Sequence, residues 1–266
     1  MKYELLITDL DDTLLKDDGS ISDKNRLALR KLIERGGKVA LASGRAEPTM
    51  EEVIKMVGLM DQKHLAHNGL SVFNLDGYRK VYNFIPKDEV KRLLDLLKQN
   101  NIESNVLSLS GIYHNHSYRL VDVMDKYEHG YPVIDTDYTP YDIKDIFLMY
   151  GLINNEEQRK LMRSWGNDII ETGEGNGFVI FFVRGEGKFQ GAKRLAAELG
   201  IDEKKIVCVG DGGNDLQMLR DAPLGIAVKN AVEEAKEAAK IVIDKTNEED
   251  AISYVIDKYF FGDERL

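Results

Sequence analysis

Tyr3-Glu4-Leu5-Leu6-Ile7-Thr8-Asp9-Leu10-Asp11-Asp12-Thr13-Leu14-Leu15 is an apolar run that ends in acids. Leu5, Leu6 and Ile7 have the length and character of a buried strand, and Asp9, Asp11 and Asp12 arrive where that strand should stop. Removing unpaired carboxylates from water costs several kcal/mol each, so packing alone does not call for three together. They fit the mouth of a crevice in which a cation neutralises them. The plainer alternative is a polar turn after an edge strand.

The same layout recurs twice. Lys38 to Ala42 reads as a buried strand that delivers Ser43-Gly44-Arg45, and Ile206 to Val209 ends in Gly210-Asp211-Gly212-Gly213-Asn214-Asp215. Between the first two strands lies a helix from Asp23 to Arg35, with Ser22 as its N-cap and Gly36-Gly37 at its end. A helix from Pro48 to Met56, stopped by Gly58, leads to a short strand at His64 to Ala66. Asp76-Gly77 then turns a hairpin between Leu70–Phe73 and Tyr78–Tyr82. After Phe182 a helix spans Phe189 to Leu199. Beyond the third strand come a helix from Leu216 to Arg220, a strand from Leu224 to Val228, a helix from Val232 to Ala239 and a strand from Ile241 to Ile243. A last helix is expected from Glu248 to Tyr259. Strands apolar on both faces, alternating with helices, imply an α/β fold with a covered parallel sheet.

From Asn83 to Phe182 the pattern restarts. A helix from Asp88 to Gln99 precedes strand-like pieces at Asn105–Leu109 and Asp145–Tyr150, a helix at Glu156–Trp165, and strands at Asp168–Glu171 and Phe178–Val183. This block reads as a second α/β domain, residues 83–183, inserted into a first made of 1–82 and 184–266. Tyr113 to Tyr141 gives no clear pattern.

With 266 residues, 43% hydrophobic and 31% charged, the chain has room for one large or two moderate globular domains. No apolar run has the length of a membrane span, and the N-terminus enters a strand without a signal peptide's layout. Cys208 is the single cysteine. It sits in an apolar run as a buried small hydrophobe, so no internal disulfide forms and a cytoplasmic location is expected. A net charge of −10 argues against nucleic acid or an anionic membrane as partner, though not against a small anionic substrate. Oligomeric state has no signature here. Met56, Met60 and Met149 read as core or gap-filling residues.

Ligands of open parallel sheets bind at the carboxyl ends of strands, near the switch in strand order. If the three acid-bearing or hydroxyl-bearing strands end at one edge, Asp9, Asp11, Asp211 and Asp215 share a pocket with Thr13 and Ser43. So much negative charge needs a cation, and oxygen-only donors suit Mg²⁺. Zn²⁺ would want histidine or cysteine, which these strings lack. His114 and His116 are spaced like ligands but lie in the inserted block, where solvated or specificity roles suit them better.

These strings, in this order, resemble the four motifs of the haloacid dehalogenase (HAD) superfamily. Asp9-Leu10-Asp11-Asp12-Thr13 resembles the first, Ser43 before Gly44-Arg45 the second, Lys188 the third, and Gly210 to Asp215 the fourth. Lys188-Phe189-Gln190-Gly191-Ala192-Lys193-Arg194-Leu195, running on to Leu199-Gly200-Ile201, is similar to the Cof-like phosphatases, as are Asn68-Gly69 and Val228-Lys229-Asn230-Ala231. Asp12 stands where glycine is commonest, and Phe189 where glycine often follows the lysine. The resemblance implies a Rossmann-like three-layer core and a C2-type α/β cap, in its larger form, for the inserted block.

It also implies a Mg²⁺-dependent phosphatase acting on small phosphorylated metabolites, such as sugar phosphates, through an aspartyl-phosphate. Asp9 would be the nucleophile, Asp11 the general acid and then base, and Lys188 the cation between Asp9 and the phosphate. Thr13, Ser43, Gly44, Arg45, Lys188 and Asn214 would hold or position substrate. Asp9, Asp211 and the Asp11 backbone carbonyl would hold the metal, with Asp215 close by. Hinges are expected at Tyr82–Pro86 and Arg184–Gly187. Two other functions use similar parts: a phosphomutase or phosphotransferase of the same superfamily, and a receiver-like phosphoacceptor signalling module.

Overall fold

The computed structural model describes residues 2–115, 119, 122, 130–136, 143–175 and 177–262. β1 (Leu5–Thr8), β2 (Lys38–Leu41), β12 (Ile206–Gly210), β13 (Leu224–Ala227) and β14 (Ile241–Val242) form a parallel sheet in the order β14-β13-β12-β1-β2. β1 lies between β12 and β2, paired in register Leu5 with Ile206 and with Lys38. Strands on both sides explain why Leu5, Leu6 and Ile7 are fully buried and why no polar residue interrupts them.

Two helix pairs complete the layers. α1 (Asp23–Glu34) packs against β2 and against α8 (Ala251–Val255), while α5 (Lys188–Glu198) packs against β12 and α6 (Leu216–Asp221). Ser22 caps α1, its hydroxyl accepting from the Asn25 amide, which is what its place before the apolar periodicity predicts. α2 (Glu47–Val57) ends at Gly58 in the left-handed region. β3 (His64–Ala66), β4 (Ser71–Phe73) and β5 (Arg79–Val81) make a small sheet in that order, and a 3-10 turn at His67–Gly69 joins the first two. A further short α-helix is α7 (Glu233–Ala238). The architecture is α/β with a Rossmann-like core.

The chain divides into two compact units, Met1–Lys80 with Gly187–Leu266, and Val81–Glu186. The second has a six-stranded sheet, order β10-β11-β9-β6-β7-β8, built from β6 (Ser104–Ser108), β7 (Gly111–His114), β8 (Val133–Asp135), β9 (Ile146–Leu152), β10 (Ile170–Gly175) and β11 (Phe178–Val183). α3 (Lys87–Gln99) and α4 (Glu156–Arg163) belong to the same unit. Leu93, Leu97, Val106, Met149, Met162, Trp165 and Phe181 form its apolar core, with the Trp165 and Phe181 rings stacked.

Four features depart from the sequence reading. The expected last helix is broken: a 3-10 turn at Asn247–Glu249, boxed by Thr246 and Glu249, leads to Asp250 in the left-handed region before α8 begins. β7 and β8 fall in or beside the illegible stretch and escape a pattern search. β10 runs on to Gly175, because pairing with β11 carries Thr172-Gly173-Glu174-Gly175 despite their low strand propensity. Met60 is half-exposed, outside the core that holds Met149.

Candidate active site

Position in the sheet gathers the candidates. Asp9 follows β1 directly, its amide donating to the Val209 carbonyl at 2.9 Å, so the ladder to β12 fixes where its side chain starts. The chain moves to one side of β1 for β2 and to the other for β12, which makes this end the switch point of the sheet. One carboxylate oxygen from each of Asp9, Asp211 and Asp215 lies within 4.8 Å of the others, all in buried residues or a largely buried one.

Lys188, the first residue of α5, is fully buried among them. Its ammonium donates to Asp9 Oδ1 and, at 2.6 Å, to Asp215 Oδ1. The other Asp215 oxygen accepts the backbone amides of Asp211 and Gly212, at 2.9 and 3.0 Å. Asp215 thus folds the loop after β12 around itself. A side chain at Gly210 would meet its carboxylate at 2.6 Å, which reserves that position for glycine.

Charge in this cluster is unbalanced. Burial pushes the Asp9 carboxyl well above its usual range; Lys188 works against that, while Asp215 and Asp211 add to it. Burial, with Asp215 nearby, brings Asp211 up to about 6 even though the Thr13 hydroxyl bond opposes the rise. Burial also works against the Lys188 charge, but Asp215 and Asp9 outweigh it and keep the ammonium firmly protonated. Three acids face one lysine, and all the donors are oxygens. That set fits a divalent hard cation.

The remaining predicted residues take distinct places. Thr13 is buried and donates its hydroxyl to Asp211 Oδ1 at 2.5 Å. Ser43 is buried at the end of β2, its hydroxyl accepting from the Arg45 amide at 3.2 Å. Gly44 lies beside the Asn68 side chain, whose Oδ1 accepts from Asn214 Nδ2 at 2.9 Å. The Asp11 carboxylate does not join the other three acids. Arg45 holds it in a two-pronged pair, Nε to Oδ2 at 3.0 Å and Nη2 to Oδ1 at 2.5 Å. The expected four-carboxylate pocket is therefore three acids with an adjoining ion pair.

Asp12 has φ 59°, the left-handed conformation that glycine adopts freely and aspartate tolerates. Its carbonyl accepts from Asn230 Nδ2 at 2.7 Å. Asn230 in turn accepts the Asn247 amide at 3.0 Å, so it ties the acid loop to the start of the C-terminal segment. Nothing in the periodicity marks Asn230; its signals are its place in a loop directly after a strand and the Val228-Lys229-Asn230-Ala231 string that resembles the Cof-like phosphatases. His114 is buried, its Nδ1 3.8 Å from Asp135 Oδ1, so the solvated role expected for it does not hold. His116 lies outside the described residues.

A switch-point acid cluster around a buried lysine, on a Rossmann-like sheet, is an arrangement suited to a divalent cation beside a phosphate group. The chain belongs to the haloacid dehalogenase-like hydrolase family, whose model matches residues 6–256. Among similar proteins, the Bacillus subtilis 5-amino-6-(5-phospho-D-ribitylamino)uracil phosphatase YitU is 27% identical over 97% of this chain and 98% of its own. The Escherichia coli phosphatase YbjI, named for the same substrate, is 26% identical over 97% and 96%. A solved structure of a haloacid dehalogenase-like hydrolase from B. subtilis superposes with a TM-score of 0.80 at 24% identity, covering 96% of this chain and 99% of that one. The crystal structure of TM0651 from Thermotoga maritima gives 0.81 at 23% identity, covering 96% and 97%. These two share the fold. Within the family, this chain is a hydrolase.

Proposed function

We propose that the chain is a Mg²⁺-dependent phosphatase that hydrolyses small soluble phosphomonoesters, such as sugar phosphates and related metabolites, through phosphorylation of Asp9. The observation that carries this reading is the buried group Asp9, Lys188, Asp215 and Asp211 at the sheet's switch point. YitU and YbjI, full-length relatives named for a phosphorylated ribitylamino compound, support the small-molecule class.

As a hydrolase of phosphate esters, the chain divides the work among its own residues. Asp9 attacks phosphorus. Lys188, already bridging Asp9 and Asp215, draws the negative charge of both reactants toward one point and offsets their repulsion. Asp215 holds Lys188 in place and shapes the loop that presents Asp211. Ser43 and the backbone around Gly44 and Arg45 receive phosphoryl oxygens, and Thr13 orients Asp211. Asp11 protonates the leaving oxygen, then takes a proton from the water that cleaves the acyl phosphate. Arg45 must release Asp11 for that, and the freed guanidinium is then available to a phosphate. Asp9, Asp211 and the Asp11 carbonyl would hold Mg²⁺, with Asp215 behind them; when bound, it supplies charge neutralisation and a fixed geometry for the transferring group.

In this reading Met1–Lys80 with Gly187–Leu266 is the catalytic core. Val81–Glu186 is the cap, of the C2 type in its larger form, and its work is to exclude water during the first transfer. Its mixed six-stranded sheet with helices supports that assignment. The lone buried Cys208 fits a reducing cytoplasm, and the net charge of −10 disfavours nucleic-acid and membrane substrates.

A panel of phosphorylated metabolites, assayed for inorganic phosphate with and without Mg²⁺, tests the proposal. Metal-dependent release from one or more small phosphomonoesters supports it. Isomer interconversion without free phosphate would instead indicate a mutase, and a long-lived phospho-Asp9 without turnover a receiver-like role.

A further inference from the structure

Glu47, in the first turn of α2, is buried and charged, and it belongs to none of the motif strings. Its carboxylate accepts from His67 Nε2 at 3.1 Å, from Arg79 Nε at 2.9 Å and from the Ser71 hydroxyl. A surface acid would serve equally well as the first residue of a helix. Taking this one out of water with three donors arranged around it calls for another reason.

The reason lies in the turn it grips. His67, Asn68 and Gly69 have φ of 50°, 55° and 88°, three successive residues in the left-handed region, two of them not glycine. Such a run persists only where its surroundings fix it. The turn touches three separate parts of the site. Its His67 and Asn68 amides donate to the Arg45 and Ser43 carbonyls, at 2.9 and 2.8 Å. The Asn68 side chain accepts from Asn214 and lies against Gly44. Gly69 is packed so closely on the residue before Lys188 that a Cβ there would sit 2.6 Å from the Gly187 carbonyl oxygen. One strained turn thus sets the spacing of Ser43, Asn214 and the start of α5.

We propose that Glu47 is a positioning residue: through His67 it clamps the His67–Gly69 turn and so holds Ser43, Asn214 and Lys188 in register for the reaction. The proposal rests on the phosphatase reading for its kinetic consequence, though not for its structural one. Misplacement of reacting groups by about 1 Å costs about 10²-fold in rate. Glu47 is not among the clustered acids, and His67, Arg79 and Ser71 take up its carboxylate, so its loss is expected to act on kcat rather than on KM.

The experiment compares Glu47→Ala, Glu47→Gln, Asn68→Ala and the Glu47→Ala/Asn68→Ala double variant in the full chain. Steady-state kinetics with p-nitrophenyl phosphate and amide hydrogen exchange are read in parallel. Glu47→Ala should lower kcat by about 10- to 100-fold with KM within about threefold, Glu47→Gln should restore much of the loss, and the double variant should be no worse than the poorer single one. The Asn68 amide should lose exchange protection in Glu47→Ala while the β1 amides keep theirs. Unchanged Asn68 protection, or losses that multiply in the double variant, would overturn the proposal. A wild-type protein without phosphatase activity would count against the functional reading alone, since the exchange measurement still decides the role of Glu47.

Discussion

Lys188 Nζ lies 2.6 Å from Asp215 Oδ1, and both side chains are fully buried. The same ammonium reaches Asp9, so one cation is shared by two acids that are 206 positions apart in the chain (215 − 9). The pair makes folding and chemistry depend on the same atoms.

Breaking a buried pair from one side leaves its partner uncompensated, at a cost of about 3–5 kcal/mol. Lys188→Met is therefore expected to lower stability by about that amount and to abolish turnover. Urea denaturation followed by circular dichroism measures the first effect. A variant as stable as the wild type would show that the acids find compensation elsewhere.

The excess of acid over base around Asp9 makes the site a divalent-ion trap. Mg²⁺ at about 100 times its dissociation constant should stabilise the folded chain by about 2.7 kcal/mol, and Asp211→Asn should remove most of that gain. Thermal unfolding with Mg²⁺ and with a chelator gives both values. An equal shift in wild type and variant would place the ion elsewhere.

Arg45 is paired with Asp11 at the rim of the site, with the Asp11 carboxylate about half-exposed. Arg45→Ala removes a guanidinium available to the phosphate, and kcat/KM should fall by about 10- to 100-fold, mostly through KM. A loss confined to kcat would assign Arg45 to the proton transfers of Asp11.

His64 sets a pH limit on stability far from the chemistry. Its Nε2 donates to the Leu59 carbonyl at 3.0 Å and its Nδ1 accepts the Leu41 amide at 3.2 Å, so a second ring proton would point at an N–H. Burial lowers its pKa from 6.5 to about 4, with the Leu59 bond only partly offsetting this. The folded state keeps the ring neutral while the unfolded chain protonates it. This contribution is fully present above pH 6.5 and declines as pH falls toward 4, by about 3 kcal/mol in all. The His64 ring signal in proton NMR should not titrate above about pH 5. A midpoint near the ordinary value would refute the assignment.

Much of the fold was legible because β1, β2 and β12 are buried on both faces, which leaves continuous apolar runs with polar punctuation. Leu5–Ile7 and Ile206–Val209 could hardly be read otherwise, and the order of strings at their ends located Asp9, Ser43 and Asp211. Local sequence said less where a partner decides the structure. β10 keeps strand form through glycines only because β11 pairs with it, and Asp250 breaks an otherwise helical pattern by its backbone angle. That Arg45 would pair with a nearby acid was an open alternative to substrate contact, but its pairing with Asp11 in particular and the Glu47–His67 contact were equally hidden. Each joins residues that share no motif and meet only when the strand ends are brought together.

Trapping the phosphoryl group on Asp9 tests the central claim most directly. After rapid acid quench of the Asp11→Asn variant with substrate and Mg²⁺, mass spectrometry of the N-terminal peptide should find one phosphoryl group on Asp9, and Asp9→Asn should neither carry it nor release phosphate. Phosphate release by Asp9→Asn at the wild-type rate, or a phosphoryl group on any other residue, would contradict the account.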